Sequence, residues 1–338
     1  MTQPLTSPTT LVPSDHYRAV QLAAATARAH ALQAGLPSSV VDQAAAPASE
    51  LAGNLAQHAK DDGALYIQRL PTGSGMEILA ADRGPGTAPL QRCPADGPTT
   101  PDPLGAGLGT ARGIAAELMV RTQAHVATLI CARFALPRQP RPAGRDAGLI
   151  CLPTDGETSC GDAGAIAEDH RMRTSIVIDG LGHGPLGAEA AQAALHAFHR
   201  QANRPLPHLL QALHQELRHT RGAAVALLRL HHDHADYCSV GNIRALALSP
   251  RGVDHQLTGR PGIVSWKIPT PRAHRIPLSP NTTAVLHSDG IDRRWSHAPS
   301  RFMLHLPPPL LAAAIAHGHR RSHDDAAVLA LKAYQEAP

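Results

Sequence analysis

In the latter half of the chain, four short motifs place an aspartate beside glycine or a second acid. They are Gly161-Asp162, Asp179-Gly180 at the head of the run DGLGHG, Ser288-Asp289-Gly290, and Asp324-Asp325. Apolar runs of strand character accompany them at 174–178 (TSIVI), 282–286 (TTAVL) and 326–331 (AAVLAL). Carboxylates delivered to strand ends can be gathered by loops into one site. Two unit charges about 5 Å apart repel by roughly 3 kcal/mol at an effective dielectric near 20, so four carboxylates together require cations. Oxygen donors without a matching histidine or cysteine pattern select Mg²⁺ or Mn²⁺ over zinc. The arrangement points to a two-metal site.

A second constellation lies upstream. Glu50, Asn54 and His58 follow one another at i, i+4 and i+8, on one face of an expected helix. Taken alone, that spacing describes a polar helix face. It is followed in order by Asp82, Gly84 and Gly86 (DRGPG) and then by Gly105, Gly107 and Gly109 (GAGLG) opening a helix. Glycines at a helix N-terminus let backbone N–H groups approach an anion and hold phosphates without a lysine.

The elements that must position these groups divide the 338 residues into two domains, each near the usual size of about 150 residues. The break falls at 137–146 (PRQPRPAGRD), rich in proline and arginine and without apolar periodicity. Upstream, the pattern predicts helices from a cap at Ser14 or Asp15 to about 34 and over 39–60. Strands follow at 64–70 and 76–81, then a helix to about 120 and a strand at 124–134. Pro47 within the second helix removes an N–H and crowds the carbonyl of Gln43, so that helix is expected either to kink there or to start late. Downstream, strands at 223–230, 236–248, 282–286 and 326–331 surround a helical pair at 188–199 and 206–219, which argues for helices packed on sheets.

Composition narrows the function. Hydrophobic content of 43% supports two cores, while aromatics at 3% leave few stacking platforms for single-stranded nucleic acid. The net charge of +4 is spread over interspersed residues, with no polybasic block. Five cysteines without a CxxC pair fit a reducing compartment. No apolar run nears the roughly 18 residues of a membrane span, and the start lacks a signal-peptide apolar region. A soluble cytoplasmic protein is expected, with no nucleic-acid or membrane partner. The turn holding His231, His232 and His234 reads as solvated, with adventitious metal binding the lesser alternative.

The order of the upstream motifs resembles the Bergerat-fold ATPases and, among them, the small RsbT and RsbW serine kinases of bacterial anti-sigma and stressosome switches. The resemblance covers residues 12–136. It implies that Asn54 ligates Mg²⁺, that Asp82 accepts from the adenine amino group, and that Gly84 and Gly86 shape that pocket. By the same resemblance Gly105, Gly107 and Gly109 form a lid over the phosphates of ATP, and Glu50 is the general base for a substrate serine. The downstream motifs, with 157–162 (ETSCGD), 239–243 (SVGNI) and 324–328 (DDAAV), resemble the PPM serine/threonine phosphatases in their SpoIIE and RsbX branch, over residues 147–333. That resemblance implies that Asp179 bridges two Mn²⁺ or Mg²⁺ ions and that the Gly180 carbonyl completes one coordination sphere. Asp289 and Asp324 bind the second ion, with Asp325 the competing candidate at that position. Asp162 supports the site, and His183 is a candidate proton donor to the leaving oxygen.

The expected fold class is therefore α/β of the α+β kind: an N-terminal Bergerat α/β sandwich and a C-terminal α-β-β-α sandwich. The expected function is a metal-dependent phosphatase fused to a kinase-type module in a bacterial partner-switching pathway. Its expected partner is a STAS-domain anti-sigma-factor antagonist or stressosome protein. The alternative makes the N-terminal half a nucleotide- or partner-binding regulator that transfers no phosphate.

Overall fold

The computed structural model describes residues 8–14, 18–59, 62–83, 112–135, 146–169, 172–279 and 281–332. The chain forms two compact units, Thr9–Pro142 and Ala143–Pro338, the second including Met1–Pro8.

In the first unit, β1 (Thr10–Pro13) leads to α1 (Arg18–Gln33) and α2 (Ser38–His58), then to β2 (Gly63–Arg69), β3 (Gly75–Asp82), β4 (Glu117–Gln123) and β5 (Ala127–Ala135). The sheet order is β1-β2-β3-β5-β4, with every neighbour antiparallel. Alanines at 23, 27 and 31 on α1 meet Ala44, Ala48 and Leu51 on α2, over Ile67, Ile78 and Ala132 of the sheet. Small residues four apart let the two helices pack closely. Helix α2 runs without a break from Ser38 through Pro47, which excludes the late start.

One expected element is corrected. Residues 117–120 are strand, not helix: Glu117 to Gln123 pair with β5 along their whole length, and sheet pairing overrides the helix propensity of Glu, Leu and Met. The same register aligns Gln68, Glu77, Arg133 and Glu117 across four strands. Gln68 Nε2 donates to Glu77 Oε1 at 2.6 Å and Arg133 Nε donates to Glu77 Oε2 at 2.7 Å. Glu77 and Arg133 are buried, so each depends on the other.

The second unit contains β6 (Ala147–Leu152), β7 (Asp162–Asp169), β8 (Met172–Gly180), α3 (Gly184–Gln201), α4 (Leu206–Glu216), β9 (Ala223–Leu230) and β10 (His234–Val240). It continues with β11 (Arg244–Ser249), β12 (Gly252–Thr258), β13 (His274–Pro277), β14 (Thr283–His287), α5 (Arg301–Leu304), α6 (Pro308–His319) and β15 (Ala326–Lys332). Two five-stranded sheets, ordered β13-β10-β9-β8-β7 and β12-β11-β14-β15-β6, face each other. Val177, Ala226 and Leu228 of the first sheet meet Leu286, Ala327 and Leu329 of the second. Helices α3 and α4 cover the outside of the first sheet through Leu195, Phe198, Leu210 and Leu213. Helix α6 packs on β6 and β15, completing the α-β-β-α layering. The single strand expected over 236–248 is two, β10 and β11, parted by a turn at Gly241 and Asn242. Gly241 has a φ of 107° there, where only glycine is free of strain. Strands β1, β6, β7, β12 and β13 and helices α5 and α6 are additions to the expected elements. Among the described residues, no helix is long and apolar enough to cross a membrane.

Glu77→Ala is expected to cost the N-terminal unit about 3–5 kcal/mol, because it removes the closest carboxylate from the buried Arg133 guanidinium. The double substitution E77L/R133M should recover most of that loss. Denaturant-dependent hydrogen exchange of the β3 and β5 amides in the full-length protein measures both.

Candidate metal centre and nucleotide face

The acidic motifs converge at one edge of the sandwich. In the first sheet, Asp162 opens β7 and Asp179 nearly closes β8, and the antiparallel register sets them directly opposite each other. In the second sheet, Asp289 follows β14 and Asp324 precedes β15, the neighbouring strand. All four line one cleft of about 560 Å³, with Gly180, His183, Asn242 and Asp325.

Close backbone contacts fix the edge. A Cβ on Gly290 would lie 1.8 Å from the carbonyl oxygen of Asp325, and one on Gly187 would lie 2.0 Å from that of Gly182. Gly290, beside Asp289, and Gly187, on the first turn of α3, thus let neighbouring backbone approach where a side chain would collide. Ser288 ties the second sheet together: its N–H donates to the Ala327 carbonyl at 3.1 Å, and its Oγ accepts from the Ala327 N–H at 2.9 Å.

The electrostatics are those of a site built for cations. Burial, then the proximity of Asp289 and Asp324, pushes the Asp179 carboxyl up to about 8. Asp162 is raised well above the usual carboxylate range by burial and by Asp179, with a hydrogen bond from Ser288 acting the other way. Its Oδ2 is buried with no hydrogen-bond partner. An orphaned buried carboxylate oxygen is costly unless a cation or proton meets it. Asp324 is raised by burial and by Asp289. Hard oxygen donors, mutual repulsion and an unpaired oxygen together fit divalent ions of the Mg²⁺ or Mn²⁺ class.

The two adjacent acids do different work. Asp325 is buried, and both its oxygens are taken: Oδ1 accepts from the Thr154 N–H at 2.7 Å, and Oδ2 from the Gly161 N–H at 2.6 Å. It clamps the segment before β7 to the start of β15. Asp324 accepts the Asp325 N–H at 3.0 Å and remains part of the electrostatic cluster with Asp289, so its free oxygen is available to an ion.

Asn242 and Arg321 were not assigned from sequence. Asn242 Nδ2 donates to Asp289 Oδ2 at 2.7 Å and also hydrogen-bonds Asp179, joining carboxylates that come from different sheets. Its signal was present in SVGNI, where a polar side chain follows a glycine at a strand end. Arg321 donates through its N–H to the Gly290 carbonyl at 2.8 Å and through its guanidinium to the Asp289 carbonyl at 3.2 Å. His183 stands at the cleft rim with 69% of its side chain exposed, its Nδ1 3.6 Å from Glu157 Oε1. Burial and Asp162 hold the Cys160 thiol well above the usual range, which disfavours the thiolate that a nucleophile requires. His231, His234 and Asp236 bring ligand atoms within 4.8 Å of one another. Arg275 already donates to both oxygens of Asp236, at 3.0 and 3.3 Å.

In the N-terminal unit, Glu50 and Asn54 are half-buried one turn apart on α2, and His58 is exposed. Asp82 closes β3, against which α2 packs. Gly84, Gly86, Gly105, Gly107 and Gly109 lie outside the described residues.

Comparison with known proteins extends both halves. Residues 168–334 match the family described as Stage II sporulation protein E (SpoIIE), and residues 13–133 match the histidine kinase-like ATPase domain. The phosphoserine phosphatase RsbX of Bacillus subtilis (strain 168) is 27% identical over 143 residues, 42% of this chain and 72% of that protein. A structure solved in work on the bacterial stressosome as a modular system adapted to control secondary messenger signaling is 30% identical. It covers 55% of this chain and 98% of its own, with a TM-score of 0.51. The RsbU and RsbW domains of a Mycobacterium tuberculosis protein share the fold at 16% identity, with a TM-score of 0.50 over 57% of this chain and 61% of theirs.

Asp324→Asn should leave the melting temperature of the metal-free protein close to wild type and weaken Mn²⁺ binding about tenfold or more. Asp325→Asn should instead lower the melting temperature by roughly 4–10 °C, as charge-assisted bonds are lost. Calorimetric titration and thermal scans of both variants separate the roles. The Asp179 carboxyl, ordinarily at 3.8, holds its proton up to about 8 in the folded chain. The folded state therefore binds more protons than the unfolded state across that window and loses stability as pH rises through it. Metal-free protein should melt at progressively lower temperature from about pH 4 to about pH 8, and saturating Mn²⁺ should flatten the slope.

Proposed function

Because the chain belongs to the SpoIIE branch of the PPM serine/threonine phosphatases and carries a histidine kinase-like ATPase domain ahead of it, we propose that it is a two-part switch enzyme. Its C-terminal unit removes phosphate from a seryl-phosphorylated STAS-domain antagonist or stressosome protein. Its N-terminal unit binds ATP with Mg²⁺ and phosphorylates a serine on the same class of protein. The stressosome and RsbX relatives support the partner class. The observation that carries the hydrolytic half is the gathering of Asp162, Asp179, Asp289 and Asp324 from two sheets around one cleft, with an Asp162 oxygen left unpaired.

In this reading Asp179, Asp289, Asp324 and the Gly180 carbonyl hold two divalent ions, and Asp162 supports them through its free oxygen. Bound ions of this kind supply an acidified water for in-line attack and neutralise the phosphoryl oxygens. The protein does the rest. Asn242 fixes the aim of Asp289 and Asp179, Asp325 holds the loops that carry Asp162 and Asp324, and His183 offers a proton to the departing serine oxygen at the cleft mouth. In the N-terminal unit Asn54 serves as the Mg²⁺ ligand and Asp82 as the adenine acceptor, with Glu50 one turn from Asn54 as general base.

The test is Mn²⁺-dependent phosphate release from a seryl-phosphorylated STAS-domain protein by the full-length enzyme. Asp179→Asn should reduce the rate by about a hundredfold or more. With unphosphorylated STAS protein and γ-labelled ATP, the D179N background should accumulate phosphoserine, and Glu50→Ala should abolish it. Labelled nucleotide that binds without any transfer would instead make the N-terminal unit a regulatory module.

A further inference from the structure

Tryptophan 266 is 82% exposed. Trp295, the second of the chain's two tryptophans, is 4% exposed. A fully solvated indole is unusual, because the ring loses a large apolar contact area to water unless something covers it. Trp266 sits on a tight turn closed at its base: Ile263 N–H donates to the Lys267 carbonyl at 3.0 Å, and the Trp266 and Lys267 N–H groups both donate to the Ile263 carbonyl at 3.2 Å. Ile263 itself lines the metal cleft. The indole is therefore one turn away from the catalytic edge.

The turn is built to hold its shape. Val264 exchanges backbone hydrogen bonds with Ala223 at 2.9 and 3.1 Å and is fully buried. Ser265 has a φ of 129°, a conformation that side-chain-bearing residues adopt only where the surroundings enforce it. His214 on α4 enforces it by accepting the Ser265 N–H at 3.1 Å. Gly222 leaves room for Ser265, since a Cβ there would lie 2.2 Å from Ser265 Oγ. The Gly222 carbonyl in turn accepts the Leu181 N–H at 2.9 Å. The turn and the loop that follows Asp179 are thus locked to the same glycine.

Leu181 lines the cleft and is 38% exposed, and Leu186, on the first turn of α3, is 47% exposed. Among the described residues of the C-terminal unit, these two leucines and Trp266 are the large hydrophobics left strongly exposed. Leu181 lines the carboxylate cleft, and Leu186 and Trp266 each follow a cleft-lining residue, His183 and Ile263, by three positions in the chain. Tryptophan anchors are the residues most enriched at energetic centres of interfaces.

We propose that Trp266, Leu181 and Leu186 form the docking surface for the phosphoprotein substrate. The indole packs on an apolar patch of the protein that presents its phosphoserine to the cleft. This rests on the phosphatase reading above, because a phosphoryl group at the aspartates obliges its carrier protein to cover the cleft rim. A rigid aromatic on a pre-formed turn loses little freedom when it binds, which favours recognition of a folded partner surface. The small phosphoester itself needs none of this area.

The experiment compares Trp266→Ala and Leu186→Ala with wild type on a seryl-phosphorylated STAS-domain protein and on p-nitrophenyl phosphate. The ratio of kcat/KM for protein over small ester should fall about tenfold or more in W266A, through KM, and by less in L186A. In the hydrolysis-deficient D179N protein, adding the phosphoprotein should shift the tryptophan emission to shorter wavelength and protect it from iodide, since Trp266 is the solvated fluorophore. A ratio within about twofold of wild type, with quenching unchanged by saturating phosphoprotein, overturns the docking surface while leaving the phosphatase intact. Wild-type enzyme that hydrolyses neither substrate with Mn²⁺ defeats the phosphatase reading, and the docking proposal falls with it.

Discussion

Mutual repulsion among carboxylates is the constraint around which the C-terminal unit is organised. Asp162 and Asp179 come from one sheet, Asp289 and Asp324 from the other. Asn242 and Asp325 tie the two sheets at this edge, and the apolar layer between the sheets, where Val177, Ala226, Leu286 and Leu329 are sealed from water, supplies the contact that brings the pairs together. The hydrophobic contact of two sheets thus does the work of concentrating negative charge. A cation then converts that stored repulsion into affinity, and a proton on Asp179 is the substitute when no cation is bound.

Such an edge tolerates little slack, and the glycines and Asp325 remove it. Gly290 and Gly187 allow carbonyls to approach where a methyl group would collide. Asp325 spends its charge on two backbone N–H groups from the segment leading to Asp162. One acid of the pair therefore supports the frame so that its neighbour can remain uncommitted. Asn242 performs the corresponding task across the cleft, giving Asp289 and Asp179 a shared neutral donor between their charges.

Much of this was legible from residue types. The four acidic motifs, the helical pair and the strands at 223–230, 282–286 and 326–331 carry local signals, because turn chemistry and apolar runs report on themselves. What stayed hidden is what depends on partners. The segment 117–123 has the composition of a helix and becomes a strand only because β5 lies beside it. Helix α6 begins with prolines and is apolar nearly all round, so it offers no amphipathic period; its burial against β6 and β15 is visible only in three dimensions. Asp324 and Asp325 are chemically identical in sequence, and the hydrogen bonds of Thr154 and Gly161, more than 160 residues away, are what separate them.

The two units solve the problem of buried charge in opposite ways. In the N-terminal unit, Glu77 is met by Gln68 on one side and Arg133 on the other, and Arg133 also reaches toward Glu117 at 3.8 Å. There a protein cation meets the buried carboxylate directly. In the C-terminal unit, Arg321 approaches the acidic cluster through backbone carbonyls and Asn242 through its side-chain amide, and no arginine or lysine bonds to the carboxylates of Asp162, Asp179, Asp289 or Asp324 among the described residues. Withholding a protein cation from these four groups keeps their charge for the ions and phosphoryl group that enter from solvent, and this omission, as much as the carboxylates themselves, distinguishes a site from a salt bridge.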